Sequence, residues 1–156
     1  INDSTKLLLL TTHVQALGTR EHKEYQLVQI KNFIERTVRQ ILDSKFVNSP
    51  ANLAVILAGD FNSNAYSLER FERLQMLLGK PRDLHKEYHG SNEEYTFKFR
   101  SDRPSRRFDY IFLYDNIEDI RLKKLNLINS NVVDVKDSNH ESVSDHLALK
   151  ATLSIK

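Results

Sequence analysis

Residues 6–12 open the chain with a short apolar run, Lys-Leu-Leu-Leu-Leu-Thr-Thr, whose Thr pair favours a buried strand over a helix. Leu27, Ile30, Ile34, Val38 and Ile41 then recur at steps of three and four, which predicts a helix over 23–43 about 30 Å long. Asn48-Ser49-Pro50 breaks the chain ahead of a second apolar strand at 53–58. Leu68, Phe71, Leu74 and Leu78 share one face of a second helix over 68–78, with Ser67 as its N-cap and Gly79 and Pro81 as its stop signals. Beyond it the pattern reads as strands at 95–99, 107–114, 120–128 and 146–155. In the last of these, Leu147, Leu149, Ala151, Leu153 and Ile155 alternate with mainly polar residues, the period of a half-buried strand. No repeat, low-complexity stretch or internal boundary interrupts the series, so the chain reads as one α/β unit over 1–156.

Composition narrows this picture only at its edges. With 156 residues, 40% apolar and 28% charged, the chain is long enough for a sizeable core and has the make-up of a soluble globular domain. The longest apolar run has six residues, far short of the ~18 of a membrane helix, and no signal-peptide pattern is visible in this portion. The compartment is left open. The absence of cysteine excludes disulfides and thiolate metal sites. A net charge of +2 does not by itself announce a polyanionic partner, but the charge is uneven. Lys98, Arg100, Arg103, Arg106 and Arg107 stand against Asp102 alone, a local net of +4 that could meet a lipid headgroup, a membrane surface or a nucleic acid backbone, or could be a solvated hairpin tip.

The candidate chemistry sits at strand ends. Gly59-Asp60-Phe61-Asn62 follows the run at 53–58. Arg107-Phe108-Asp109-Tyr110 places an acid inside an apolar strand, where burial requires a partner for it. Ser144-Asp145-His146 precedes the last strand, and His13 ends the first. Taken singly, each has a plain structural reading: Asp and Asn after a strand are usually turn formers, and a lone His at a strand end is usually hydrogen-bonded structure. His85 and His89 stand at i, i+4, a spacing that can bind metal on a helix, but lying between Pro81 and Gly90-Ser91-Asn92 they are expected in a surface loop.

Together, in this order, the four motifs resemble the endonuclease/exonuclease/phosphatase superfamily of metal-dependent phosphoesterases. The resemblance implies the second half of a four-layer α/β sandwich, with a mixed, mostly antiparallel sheet and helices on one face. It also implies hydrolysis of a phosphodiester by in-line attack of water. His146 would be the general base, Asp109 its carboxylate support, and Asp60 the group that orients water or stabilises the transition state. Asn62 would hold a phosphate oxygen and His13 would donate to the phosphoryl group. Asp145 would stand at the metal, Mg²⁺ or alternatively Mn²⁺, and Arg103 and Arg106 would contact substrate. Members of the family usually have about twice this length. The chain, beginning at Ile1 and matching the second half, is therefore expected to be the C-terminal portion of one domain, with the missing N-terminal half as its partner and the family's metal-binding Glu in that half.

Two branches compete for the substrate. Thr12-His13-Val14-Gln15-Ala16, followed by Gln26-Leu27-Val28-Gln29-Ile30-Lys31-Asn32-Phe33-Ile34, looks most like the neutral and bacterial sphingomyelinases, which implies a phospholipid headgroup as substrate and peripheral membrane contact. Gly59-Asp60-Phe61-Asn62-Ser63 also fits nucleases and deadenylases acting on DNA or RNA. A non-catalytic half-domain used for binding or assembly is the alternative of another class.

Overall fold

The computed structural model describes residues 5–44, 47–97 and 105–155. Strand β1, Lys6–His13, lies parallel to β2, Leu53–Asp60, and the crossover between them is helix α1, Arg20–Asp43. The helix starts three residues before the apolar stripe predicts, because the Thr19 side chain caps it, accepting from the His22 amide. Helix α2, Leu68–Leu77, follows from Ser67, which occupies the N-cap position without making a side-chain cap bond.

Three elements depart from the pattern. Residues 82–89, expected as a surface loop around His85 and His89, form the short strand β3, Arg82–Asp83, and the helix α3, Leu84–His89. The Asp83 side chain accepts from Lys86 N and Gly90 closes the helix at φ 63°, while Leu84 and His85 are buried. The strand expected at 120–128 is two pieces. Asn116–Ile117 (β5) and Ile120–Arg121 (β6) make a small hairpin through Glu118 and Asp119 at positive φ, and Leu125–Val133 (β7) starts a new ladder with Ala148–Ile155 (β8). Asp109, expected in mid-strand, opens strand β4, Asp109–Tyr114, and of the strand expected at 95–99 the described part is an isolated bridge at Phe97.

The main sheet has the order β1-β2-β4-β3, with β1 and β2 parallel and the other pairs antiparallel, so the α/β class and the mixed sheet are as expected. Its two faces carry two cores. Val55, Leu57, Tyr110, Phe112 and Tyr114 pack with Leu27, Ile34 and Val38 of α1 and Leu74 of α2. Ala54, Ile56 and Leu113 pack on the other face with Leu84 of α3 and Leu125 of β7, flanked by Leu127, Ala151 and Leu153. The two long helices thus share one face, and α3 sits with the β7–β8 ladder on the other. Being covered on both sides explains why β2 is an uninterrupted apolar run, each fully buried Leu or Val contributing about 1.5–3 kcal/mol. No helix among the described residues is long and apolar enough to cross a membrane.

The end of β2 is shaped by a close approach of two backbones. Gly59 has φ +145°, and a Cβ there would stand 1.9 Å from the Thr12 carbonyl oxygen, so only glycine lets β1 and β2 stay paired up to Asp60. Phe61 then turns into the core, edge-on to Tyr110 and Phe112 at ring separations of 5.5 and 5.2 Å, and anchors the loop that follows.

Candidate active site

The sheet register assembles the site. His13 pairs with Asp60 across β1 and β2, and Asp60 pairs with Asp109 across β2 and β4, so three titratable residues line up at one end of three adjacent strands. The fourth, His146, arrives just before β8. Phe97 bridges to it, its ring lies 4.8 Å from the imidazole, and Leu147 N donates to Thr96 O at 2.7 Å. Thr96, wholly buried, also accepts through Oγ1 from the amides of Phe108 and Asp109, at 3.1 and 3.2 Å. One threonine therefore fixes both the Asp109 backbone and the strap carrying His146. Nothing in its sequence context marks it.

His146 Nδ1 lies 2.8 Å from Asp109 Oδ2, and its Nε2 lies 3.8 Å from Asp60 Oδ2. A carboxylate only accepts, so Asp109 selects the tautomer with hydrogen on Nδ1 and leaves the Nε2 lone pair directed at Asp60. The ligand atoms of Asp60, Asp109 and His146 all lie within 4.8 Å of one another. Asp60 itself is crowded. Oδ1 accepts from Asn62 N at 2.7 Å, and Oδ2 has Asn62 Nδ2 at 3.2 Å and His13 Nε2 at 3.5 Å. Burial pushes the Asp60 carboxyl up, the Asn62 amide opposes this, and the neighbouring Asp109 charge adds to the rise.

Asn62, at φ 47°, spends its side-chain amide on the Val14 carbonyl, 2.8 Å away, as well as on Asp60. A phosphate oxygen would have to displace one of these. The same loop ties the His13 segment to α1 through Gln15 N, which donates to Gln26 Oε1 at 3.1 Å. Of the expected site residues, His13, Asp60, Asn62, Asp109 and His146 are therefore brought together. Asp145 is exposed, takes only a 3.5 Å bond from Ser144 Oγ, and stands outside the three-residue cluster. Arg106 lines a separate shallow depression with Arg70, Glu93 and Tyr95, and Arg103, with Lys98 and Arg100, lies outside the described residues. Arg107 is no surface cation. It is 1% exposed and makes a two-pronged ion pair with Asp83, at 2.5 and 3.1 Å, under the ring of Tyr110.

A sequence profile of the Endonuclease/Exonuclease/phosphatase family matches residues 30–146. No curated protein matches the chain by sequence. Among solved structures, beta toxin from Staphylococcus aureus superposes with a TM-score of 0.64 at 19% identity, over 94% of this chain and 52% of that one. A second beta toxin structure, the F277A, P278A mutant with bound magnesium ions, gives 0.57 at 19% over 92% and 51%. TDP2 from D. rerio complexed with single strand DNA product gives 0.59 at 22% over 94% and 55%. At these identities the likeness is one of fold, and the chain spans about half the length of each structure it matches.

Proposed function

The chain belongs to the Endonuclease/Exonuclease/phosphatase family, and from that premise we propose that it supplies the acid–base half of a metal-dependent phosphodiesterase. The observation that carries the proposal is the 2.8 Å contact of His146 Nδ1 with Asp109, which leaves Nε2 free beside Asp60. In this reading Nε2 takes the proton from an attacking water, Asp109 stabilises the resulting imidazolium, and Asp60 orients the water from the other side. His13, at the rim, donates to a phosphoryl oxygen once protonated. Asn62 holds Asp60 and the Val14 loop in place, and its amide turns to a phosphate oxygen by giving up one of those bonds.

The donors suit a hard divalent cation. Two carboxylates face each other across β2 and β4, one of them pushed up by burial and by its neighbour's charge, and both conditions are relieved by a cation. Asp60, with Asp109 beside it, is the side chain that would hold Mg²⁺, or Mn²⁺ in its place, while Asp145 stands apart from them; the bound ion would neutralise charge developing on the phosphoryl oxygens. Magnesium in the beta toxin structure supports the same choice.

For the substrate, the sphingomyelin headgroup is the first reading. The His13-Val14-Gln15 segment that carries that resemblance is built into the site, since Val14 O holds Asn62 and Gln15 binds α1. A nucleic acid is the second, favoured by the TDP2 likeness. The test incubates the complete protein with sphingomyelin vesicles and with single-stranded DNA and RNA oligonucleotides, with Mg²⁺ and with EDTA. Phosphocholine release that stops in EDTA supports the lipid reading. Cleavage of oligonucleotide without lipid turnover moves the protein to the nuclease branch, and no turnover of either leaves a non-catalytic binding half-domain.

A further inference from the structure

A second cluster of titratable side chains lies apart from the Asp60, Asp109, His146 centre. His85 and His89 project from successive turns of α3, and Glu94 faces them from the segment that follows. Their ligand atoms lie within 4.8 Å of one another, with Glu94 Oε2 3.8 Å from His85 Nε2 and Oε1 3.7 Å from His89 Nδ1. These separations are too long for hydrogen bonds. They are close to the roughly 3.3–3.6 Å between neighbouring ligand atoms around a tetrahedral zinc ion with bonds of about 2.0–2.2 Å.

The surroundings set both imidazoles for ligation. His89 Nε2 is 2.7 Å from the Ser130 carbonyl, which only accepts, so Nε2 carries the hydrogen and the Nδ1 lone pair points to Glu94. His85 Nδ1 is 3.0 Å from Ser130 Oγ, and its Nε2, on a side chain 1% exposed, is buried with no hydrogen-bond partner. Such an orphaned nitrogen is destabilising unless something occupies it. Arg107, which lines the same cavity as His85, is paired with Asp83. Glu94 is steadied in turn, because Tyr66 Oη donates to its carbonyl and accepts from its amide, both at 2.7 Å.

We propose that His85 Nε2, His89 Nδ1 and the Glu94 carboxylate form a binding site for a transition-metal ion of the zinc class, independent of the phosphoesterase centre. Two imidazoles and one carboxylate select such an ion over Mg²⁺, which prefers oxygen. Ser130 orients both rings from behind, the role outer partners play around bound zinc. The ion would staple α3 to the 90–96 segment, whose last residue, Thr96, holds the Asp109 amide.

The test titrates chelator-stripped protein with Zn²⁺, following binding by calorimetry, and with Co²⁺, following the visible bands of tetrahedral cobalt. The expected result is one equivalent bound in a variant already carrying Asp60→Asn. Ser130→Ala should weaken that binding roughly 10–100-fold, and His89→Ala or Glu94→Gln should weaken it further. His85→Ala is avoided because it would open a cavity. Should either ligand variant fail to fold, the imidazole NMR resonances of His85 and His89 decide instead, since they must shift on adding one equivalent of Zn²⁺. The proposal is overturned if no tetrahedral cobalt spectrum forms, if affinity is unchanged in His89→Ala and Glu94→Gln, if binding disappears with Asp60→Asn alone, or if those resonances stay in place.

Discussion

At the scale of single residues, chemistry and backbone geometry divide the site between them. His146→Ala removes the proposed base from a half-buried position that belongs to neither core. Turnover of the complete protein should fall on the order of 10²–10⁴-fold with an unchanged circular dichroism spectrum. Near-normal turnover would remove His146 from the mechanism. Asp109→Asn should give a comparable loss, because an amide at that position no longer selects the Nδ1–H tautomer. Gly59 belongs to geometry. Gly59→Ala sets a methyl against the Thr12 carbonyl oxygen and demands φ +145° of an L-residue, so denaturant unfolding should show a loss on the order of 3 kcal/mol. Asp60, Asn62, Asp109 and His146 were legible as a set, because four motifs at strands or strand ends stand in the order of a known family, whereas each alone reads as a turn former or a structural residue. Thr96 was not. A threonine in a polar stretch becomes a positioning group only once two amides and a neighbouring segment converge on it.

At the scale of elements, what the chain reveals depends on how far a segment's partners lie. The α1 stripe could be read directly, since Leu27, Ile34 and Val38 are its own periodicity made buried. Helix α3 could not, because six residues carry too little periodicity and its existence depends on Asp83 capping it and on a slot between β4 and β7. Arg107 of the basic stretch was misjudged for the same reason. Arg107 looks like its neighbours in sequence, yet it lies beneath Tyr110 and is paired with Asp83, 24 positions away. That pair ties the approach to β4 to the capping residue of α3. Asp83→Asn leaves the guanidinium buried without its countercharge, so unfolding should show a loss of roughly 3–5 kcal/mol, larger than for a surface ion pair. A loss under about 1 kcal/mol would mean that the arginine finds other partners.

At the scale of the whole molecule, α1 and α2 are joined by a hub of charge. Hydrogen bonds from Arg73 and then Arg20 hold the Glu24 carboxylate down to about 2, from an ordinary value of 4.5. A carboxyl lowered on folding contributes stability that is complete above the unfolded value and lost as pH falls through the folded one. The difference in Tm between wild type and Glu24→Gln should therefore be full above about pH 5, shrink on acidification and vanish near pH 2; a difference independent of pH would assign the effect to packing instead. The first strand carries a different consequence. Among the described residues β1 is the outer strand of its sheet, with Leu7 and Leu9 each 57% exposed and one row of peptide groups unpaired. Such an edge is a template for a further strand from any neighbour. In concentrated solution, then, the colloidal behaviour of this polypeptide depends on two outward leucines beside an open strand edge: copies should zip together edge to edge, and light scattering should rise with concentration until Leu7 and Leu9 are exchanged for lysine.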